Sequence, residues 1–369
     1  MKPKVLFLMQ LPPPVHGASV VNKTIKDSEV INGAFKARYV DLSPAKSMND
    51  LGKITPSKLL RFISIFFESI LTFLRYKPAL VYMTLSPHGA AFYKDSLILI
   101  LIKMLGGKVV VHMHGKGVRS TAKRSTLLQW YYKFAFKGVA VIHLSKSLFK
   151  DLDGIRDTDS KIYELNNGIP DAGYGLKKGT HSEVLNLIYL SNFVRTKGAD
   201  TLLNAINLLP DEYQGRFKLK LVGGFPDAGF KGEIEKLVKD VFSSDVDIVG
   251  PLYGEEKEKA LNDASVFILP TRFKNECFPL SILEAMSFRL AIISTHEGAI
   301  PDMVLNGENG FVVDREDEQA LADRIKEYIS NPLLSSNHGN RSRDFFEAKY
   351  TLENFENRLL SILNEVIES

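Results

Sequence analysis

Two glutamates flank a segment whose residue types suit a phosphorylated sugar. Glu276 lies between an apolar strand and a predicted helix, and Glu284 lies about a turn and a half inside that helix. Pro279 suits a first helical position, so the N–H groups of Leu280 and Ser281 are predicted to be free to bind phosphate. Carboxylates repel phosphate but accept hydrogen bonds from hydroxyls, which a sugar and a ribose supply. A nucleotide sugar meets both requirements.

This segment resembles glycosyltransferase family 4, whose members have the GT-B fold and carry two glutamates with seven residues between them. The resemblance implies that Glu276 contacts the donor sugar ring and that Glu284 binds the ribose. It also implies that backbone amides at Phe278, Leu280 and Ser281 hold the diphosphate. Glutamates at this spacing are common on ordinary helices, so the assignment depends on the strand–loop–helix context.

A second loop, which follows the apolar run ending at Leu190, is similar to the first loop of the family's nucleotide-binding domain. Lys197 matches the diphosphate-binding lysine, and its ammonium would neutralise charge on the leaving group without a metal. Asn192 stands where the family usually has an arginine, and Arg195 is the only nearby guanidinium. We predict donor contacts for all three, the alternative being ordinary solvation of the loop.

Two further segments occur in the family's order. The run from Val249 to Leu252 resembles the loop against which the base packs, so Val249 and Leu252 are predicted donor contacts. The run from Glu297 to Asp302 resembles a glycine-rich turn. Asn309 begins a pattern whose simplest interpretation is a turn and a strand, and we assign it no chemistry.

In the first half of the chain, a loop after the first apolar strand contains His16 and Gly17. The family's loop at this place approaches the donor phosphate and the acceptor, which implies donor contacts for both residues. Glycine permits close approach of the backbone, and Ser19 is predicted to cap the helix that follows.

His112 and His114 end another strand and should project to the same side of it. His114 resembles the family's strand-end histidine that contacts the donor sugar, and it joins Glu276 and Lys197 as a predicted catalytic residue. His112 is predicted to be a core histidine. No third ligand accompanies the pair, so no metal site is predicted. Ser145 is predicted to cap the helix after the next strand.

The elements that must position these residues alternate along the chain. Short apolar runs separated by helix-length segments predict βαβ units and parallel sheets, and the alternation restarts near residue 183. We therefore expect an α/β protein of the GT-B type, with two Rossmann-like domains whose parallel sheets face a central cleft. The predicted domains are residues 1–178, completed by a C-terminal helix at about 349–369, and residues 183–348.

Composition narrows the class of protein. The chain of 369 residues has one cysteine, Cys277, which excludes an internal disulfide and favours a reducing, cytoplasmic location. The most apolar stretches are interrupted by charges or are shorter than the ~20 residues of a membrane-spanning helix. We predict no such helix and no cofactor other than the nucleotide sugar itself.

Charge divides unevenly between the halves. Residues 1–178 hold 27 Lys and Arg against 12 Asp and Glu, whereas the remainder holds 20 against 31. Between Lys103 and Lys150 there are ten basic residues, no acidic residue and several aromatic ones. This pattern suits an anionic membrane surface, single-stranded nucleic acid or a merely solvated face. The nucleotide-sugar motifs favour a peripheral position at the inner face of the cytoplasmic membrane, without nucleic acid.

The sequence thus predicts a retaining, metal-independent glycosyltransferase that uses a UDP or GDP sugar. The resemblance implies a saccharide or lipid-linked saccharide acceptor in bacterial surface polysaccharide biosynthesis. Two alternatives stay open, a nucleotide-sugar epimerase on the same fold and a catalytically idle binding subunit. The second is kept open by Asn192, and by Arg289 and Ala291, where the family favours glycine and proline.

Overall fold

The computed structural model describes residues 1–43, 56–173, 184–240 and 245–369, and these divide into two compact units. Unit 1 comprises Met1–Asn167 and Glu353–Ser369, and unit 2 comprises Gly168–Leu352. The predicted boundary between residues 178 and 183, in a Gly- and Lys-rich stretch, lies outside the described residues.

Unit 1 is built on one parallel sheet of six strands in the order β2-β1-β3-β4-β5-β6. Its strands are β1 (Lys4–Met9), β2 (Lys36–Asp41), β3 (Leu80–Leu85), β4 (Val109–Met113), β5 (Ala140–His143) and β6 (Ile162–Glu164). Its helices before the end of the chain are α1 (Gly17–Asp27), α2 (Glu29–Ala34), α3 (Pro56–Tyr76), α4 (Gly89–Met104), α5 (Val118–Ala122) and α6 (Thr126–Phe136). Because β1, β3 and β4 are buried on both faces, they are continuous apolar runs rather than alternating ones.

The long helices α3, α4 and α6 cover one face of this sheet. Each connects strands that follow one another in the same direction across the sheet, and right-handed crossovers then place all three on the same side. Side chains of all three pack into one hydrophobic core with β3 and β4. No helix in the described parts of the chain is both long and apolar enough to cross a membrane.

Unit 2 repeats the plan with a second six-stranded parallel sheet in the order β12-β11-β10-β7-β8-β9. Its strands are β7 (Leu185–Leu190), β8 (Phe217–Val222), β9 (Val246–Gly250), β10 (Val266–Leu269), β11 (Ala291–Thr295) and β12 (Gly310–Val313). Its helices are α7 (Ala199–Asn207), α8 (Ala228–Asp240), α9 (Gly254–Asp263), α10 (Leu280–Ser287), α11 (Ile300–Met303), α12 (Glu318–Ser330) and α13 (Pro332–Lys349). The predicted α/β class with two Rossmann-like sheets is confirmed.

The last helix, α14 (Leu352–Glu368), returns to unit 1. Its inner side chains, including Leu359 and Leu363, are fully buried. At its end, Glu365 accepts hydrogen bonds from Lys161 and from the hydroxyl of Tyr163, beside β6. Unit 1 is therefore completed by a segment that is remote in sequence.

We expect Leu359→Ala to lower the free energy of unfolding of unit 1 by about 2–5 kcal/mol, since it leaves a cavity among buried side chains. Trp130 is the single tryptophan of the chain and lies in unit 1, so its fluorescence during urea unfolding reports on this unit. The matched control Leu60→Ala removes a side chain that is 69% exposed and should change stability by less than about 0.5 kcal/mol. Equal effects of the two variants would show that α14 does not contribute to the core of unit 1.

Candidate functional site

The predicted donor residues of unit 2 gather where the strand order reverses. The chain moves outward from β7 through β8 to β9, then returns to the other side of β7 with β10, β11 and β12. The loops after β7 and β10 therefore open side by side at the carboxyl ends of the two central strands, the usual ligand position in an open α/β sheet. The first loop contains Lys197 and the second contains Glu276.

An ion pair joins these two loops. The Nζ atom of Lys197 lies 2.5 Å from Oε2 of Glu276, and the two side chains are 22% and 9% exposed. The hydroxyl of Thr271 lies 3.3 Å from the same carboxylate oxygen and 3.3 Å from the carbonyl oxygen of Thr196. Two predicted catalytic residues are thus in direct contact, held by a third side chain that bridges both loops.

Close backbone packing at a glycine makes this contact possible. Gly198 has φ +82°, and a Cβ there would lie 2.0 Å from the carbonyl oxygen of Pro270. Arg272 tightens the same junction, because its backbone N–H donates to Thr196 and its guanidinium binds both carboxylate oxygens of Asp200. The position of Lys197 is therefore fixed from both sides.

Helix α10 begins beside Glu276 with its first N–H groups available. The helix starts at Leu280, and Pro279 is its N-cap, with no side-chain cap hydrogen bond. The prediction of Pro279 as the first helical residue was wrong by one position, because its ψ of 119° is extended. Ser281 follows in the first turn. The ring of Phe278 is buried against Tyr350, so only its backbone is suited to a ligand.

A second ion pair lies further along α10. The carboxylate of Glu284 accepts a hydrogen bond of 2.7 Å from Nζ of Lys257, on α9, and both side chains are about one quarter exposed. Sequence reasoning missed Lys257, because no local pattern connects it to a glutamate on another helix. Each of the two predicted donor glutamates therefore has an ammonium partner.

The remaining predicted donor contacts of unit 2 have other surroundings. Arg195 forms a bidentate pair at 2.5 and 2.6 Å with the exposed Glu233 of α8, so a diphosphate role would require it to leave that pair. The side-chain oxygen of Asn192 accepts a 3.4 Å hydrogen bond from the backbone of Gly224. Val249 is exposed at the end of β9, and Leu252 is partly exposed in the following loop.

In unit 1, His16 rather than Ser19 is the N-cap of α1. Its Nδ1 accepts a hydrogen bond from the N–H of Ser19, and its own N–H donates to the Ser19 hydroxyl. Ser19 occupies the third helical position of this capping box, so its prediction as the cap was wrong. Gly17 is exposed at the first helical position, where nothing fills the space of a Cβ.

Three histidines meet at the carboxyl ends of β4 and β5. The rings of His112 and His114 lie 4.1 Å apart, and the Nδ1 of His112 lies 2.5 Å from the hydroxyl of Tyr82. The Nε2 atoms of His112, His114 and His143 are buried without a hydrogen-bond partner among the described residues. The backbone N–H of Leu144 donates to Nδ1 of His143, which places the proton of a neutral His143 on Nε2.

Burial keeps these imidazoles neutral. Burial, together with the proximity of His143 and His16, lowers the pKa of His114 to about 3, and burial alone lowers the pKa of His143 to about 4. The pKa of His112 falls well below its usual value for the same reason. The three neutral imidazoles can therefore form hydrogen bonds with a ligand but bring no positive charge to it. Ser145 caps the 3₁₀ helix after β5, as predicted.

A family model described as group 1 glycosyl transferases matches residues 185–331. This segment contains both ion pairs described above. This segment, which is less than half of the chain, is similar to the group 1 glycosyltransferases. Its narrower assignment to family 4 stays a prediction.

Two curated relatives of this chain come from bacterial polysaccharide biosynthesis. It is 29% identical over 174 residues to the lipopolysaccharide core biosynthesis mannosyltransferase LpcC of Rhizobium leguminosarum, covering 46% of this chain and 48% of that one. It is 25% identical over 277 residues to the putative colanic acid biosynthesis glycosyltransferase WcaL of Salmonella typhimurium, covering 71% and 66%. The chain thus spans half to two thirds of the length of these relatives.

A solved structure matches nearly the whole chain. HepE of Anabaena, crystallised in complex with UDP, superposes with a TM-score of 0.73 at 15% identity, covering 98% of this chain and 100% of HepE. Likeness at this identity establishes the fold, and the predicted GT-B type is confirmed.

The histidine group predicts a pH dependence. Because the folded-state pKa of His143 lies near 4 and an unfolded histidine titrates near 6.5, the unfolded chain takes up the proton first as the pH falls. Stability present above pH 6.5 is therefore lost toward pH 4, by roughly 3 kcal/mol for this residue. Urea unfolding of His143→Gln, followed by Trp130 fluorescence at pH 7, 6 and 5, should show a shallower loss than wild type. An unchanged slope would contradict a neutral buried His143.

Proposed function

We propose that this protein is a glycosyltransferase that transfers a sugar from a nucleoside diphosphate sugar, with UDP or GDP as the nucleotide, to a saccharide or lipid-linked saccharide. The observation that carries the proposal is the paired arrangement on α10, where an ammonium–carboxylate pair lies at each side of an uncapped helix start. The names of the relatives place them in lipopolysaccharide and colanic acid synthesis, which supports a role in bacterial surface polysaccharide biosynthesis.

Donor binding would exchange the partners of the Lys197–Glu276 pair. A diphosphate seated at the N–H groups of Leu280 and Ser281 attracts the ammonium of Lys197 more strongly than a single carboxylate does. Glu276 is then released to accept hydrogen bonds from sugar hydroxyls. Glu284 accepts hydrogen bonds from the ribose hydroxyls in the same manner. Its hydrogen bond from Lys257 is then either broken or kept alongside the new ones. The complex of HepE with UDP supports this nucleotide class.

We further propose retention of anomeric configuration without a metal ion. Lys197 and the amides of α10 stabilise the leaving diphosphate as its bond to the sugar breaks. The acceptor then attacks from the face that the diphosphate leaves, so that no protein nucleophile is needed. His114 contributes a neutral imidazole that contacts sugar hydroxyls. The epimerase and idle-subunit alternatives differ in product, since only a transferase forms a new glycoside with an added acceptor.

We expect Glu284→Ala to weaken UDP binding roughly 10- to 100-fold, because hydrogen bonds to a charged group contribute about 1.5–3 kcal/mol. Calorimetric titration with UDP measures this, and Glu212→Ala, in an exposed position of the same unit, is the charge-matched control. Lys257→Ala should affect affinity far less if Glu284 contacts the ribose directly. A wild-type protein that binds neither UDP nor GDP would refute the proposed donor class.

We also propose that unit 1 docks on the anionic inner face of the cytoplasmic membrane. Of the 22 large apolar side chains that are exposed in the described parts of the chain, twelve lie on α3, α4 and α6. Five of them form an apolar stripe along α3, at Leu60, Ile63, Phe67, Leu71 and Leu74. Their spacing of three and four residues places them on one side of the helix.

Helix α3 is therefore apolar on two sides. Ile65, Ile70 and Phe73 face the core, whereas the apolar stripe faces away from it. A helix that only covers a sheet has no need of the second apolar side. An interfacial helix buries such a side at the boundary between headgroups and acyl chains.

The charges on α3, α4 and α6 favour a bilayer, rather than a second copy of the chain, as the partner of the apolar stripe. Helices α3, α4 and α6 contain six basic residues and two acidic ones, and one of the acidic residues, Asp95, is buried beside Lys94. Two such surfaces would repel each other across a symmetric dimer, whereas anionic headgroups attract them. Trp130 and Phe134 stack at 5.6 Å on the exposed side of α6, where an aromatic pair suits a membrane interface.

We expect vesicles of phosphatidylglycerol and phosphatidylcholine to bind the protein and to shift Trp130 emission to the blue. Leu60→Ser/Leu71→Ser should weaken binding about 30-fold, for a loss of ~2 kcal/mol of apolar burial. The control Leu208→Ser/Leu333→Ser changes two leucines of unit 2 with comparable exposure and should bind like wild type. Equal binding to vesicles without phosphatidylglycerol, or equal loss in the control, would refute the membrane surface.

A further inference from the structure

Unit 1 contains a cationic cavity that the proposed donor contacts do not use. It has a volume of about 380 Å³, within the ~300–1,000 Å³ of small-molecule sites. It lies between the loop after β4 and the 3₁₀ helix Lys146–Leu152 after β5, at the carboxyl ends of two neighbouring strands. Four basic side chains line it, Lys116, Arg119, Lys123 and Lys150. We propose that this cavity binds a phosphate or diphosphate group of the acceptor.

The backbone around the cavity is fixed by one carboxylate. Asp151 accepts hydrogen bonds from the backbone N–H groups of Gly117, Val118 and Arg119 at 2.8, 3.0 and 3.3 Å. Gly117 has φ +124°, and a Cβ there would lie 2.7 Å from the ring of His88. The loop and the 3₁₀ helix are therefore locked together, which holds the basic side chains around one space before a ligand arrives.

The lining of this cavity contains four basic side chains and one acidic side chain. Asp151 is the one acidic residue in the lining, and its oxygens already accept three backbone hydrogen bonds. Lys123 and Lys150 form no ion pair with any residue in the described parts of the chain, whereas Arg119 forms one long pair, at 3.8 Å, with the exposed Asp153, and its Nε has no hydrogen-bond partner there. Converging ammonium and guanidinium groups repel one another, and a phosphate relieves that repulsion while accepting several charged hydrogen bonds.

The position of the cavity points to the acceptor. Lys116 follows His114 by two residues, and His114 is the residue of unit 1 that the proposed function places against the transferred sugar. The donor diphosphate already has Lys197 and the start of α10, so a second phosphate site in unit 1 suits the other substrate. This inference rests on the proposed transferase function, because without a donor site there is no acceptor to assign.

Inorganic pyrophosphate is the probe, titrated calorimetrically into the full chain in the presence of saturating UDP and, separately, into Lys197→Ala. In both titrations, binding of pyrophosphate at the proposed donor diphosphate site is suppressed, so the measured heat reports on the cavity. Arg119→Gln/Lys123→Gln should weaken pyrophosphate binding at least tenfold. The control Lys133→Gln/Lys137→Gln removes the same charge from exposed positions outside the cavity and should change binding less than twofold.

The source of the phosphate is tested by competition. Displacement of pyrophosphate by glucose 1-phosphate or farnesyl diphosphate supports an acceptor phosphate. Displacement only by phosphatidylglycerol vesicles would assign the cavity to a membrane headgroup and overturn the acceptor assignment. Absence of pyrophosphate binding, or equal loss in the cavity and control variants, would overturn the site itself. A protein that binds pyrophosphate here but binds no UDP would separate failure of the proposed function from failure of the cavity.

Discussion

The Lys197–Glu276 ion pair is the interaction on which the proposed donor site depends. It connects two loops that are 79 residues apart in sequence, and it lies where the sheet of unit 2 changes direction. Neither charge is tolerable there alone, since Glu276 is nearly buried and an unpaired carboxylate would be costly to desolvate. The close approach of Gly198 to Pro270 makes the pairing geometrically possible, and Arg272 and Thr271 keep the two loops in register.

This pairing explains how a charged site can be stable before substrate arrives. Each glutamate on which donor recognition is proposed to depend has an ammonium partner, so neither of these two carboxylates is isolated. In the proposed complex a diphosphate sugar brings negative charge and many hydroxyls, which together would replace both halves of the pair. The free energy of binding is then the difference between two sets of charged hydrogen bonds, which makes it sensitive to the shape of the sugar as well as to its charge.

Sequence patterns predicted what is local. The apolar runs, the two glutamates around a strand–loop–helix junction and the two sheets follow from period and spacing, because parallel strands buried on both faces leave continuous apolar runs. Partners brought together by the fold were not predictable: Lys257 for Glu284, and Glu233 for Arg195, come from other helices. His16 as a cap was missed because imidazole is not among the usual capping side chains. The second apolar side of α3 was not predicted, because the sequence alone does not show which apolar residues of this helix face the core and which face away from it.

The charge division of the chain has a structural explanation at the level of individual sites. In unit 1 the basic residues are concentrated around an apolar surface and a cavity, while its strand-end histidines are kept neutral by burial. In unit 2 the cations near the donor loops are paired with carboxylates. The excess of cations over carboxylates at the first location attracts anions from a distance, whereas the paired cations at the second respond only to a ligand that can replace their partners. The same side-chain chemistry would therefore provide attraction in unit 1, where cations outnumber carboxylates, and selectivity in unit 2, where each of these cations has a carboxylate partner.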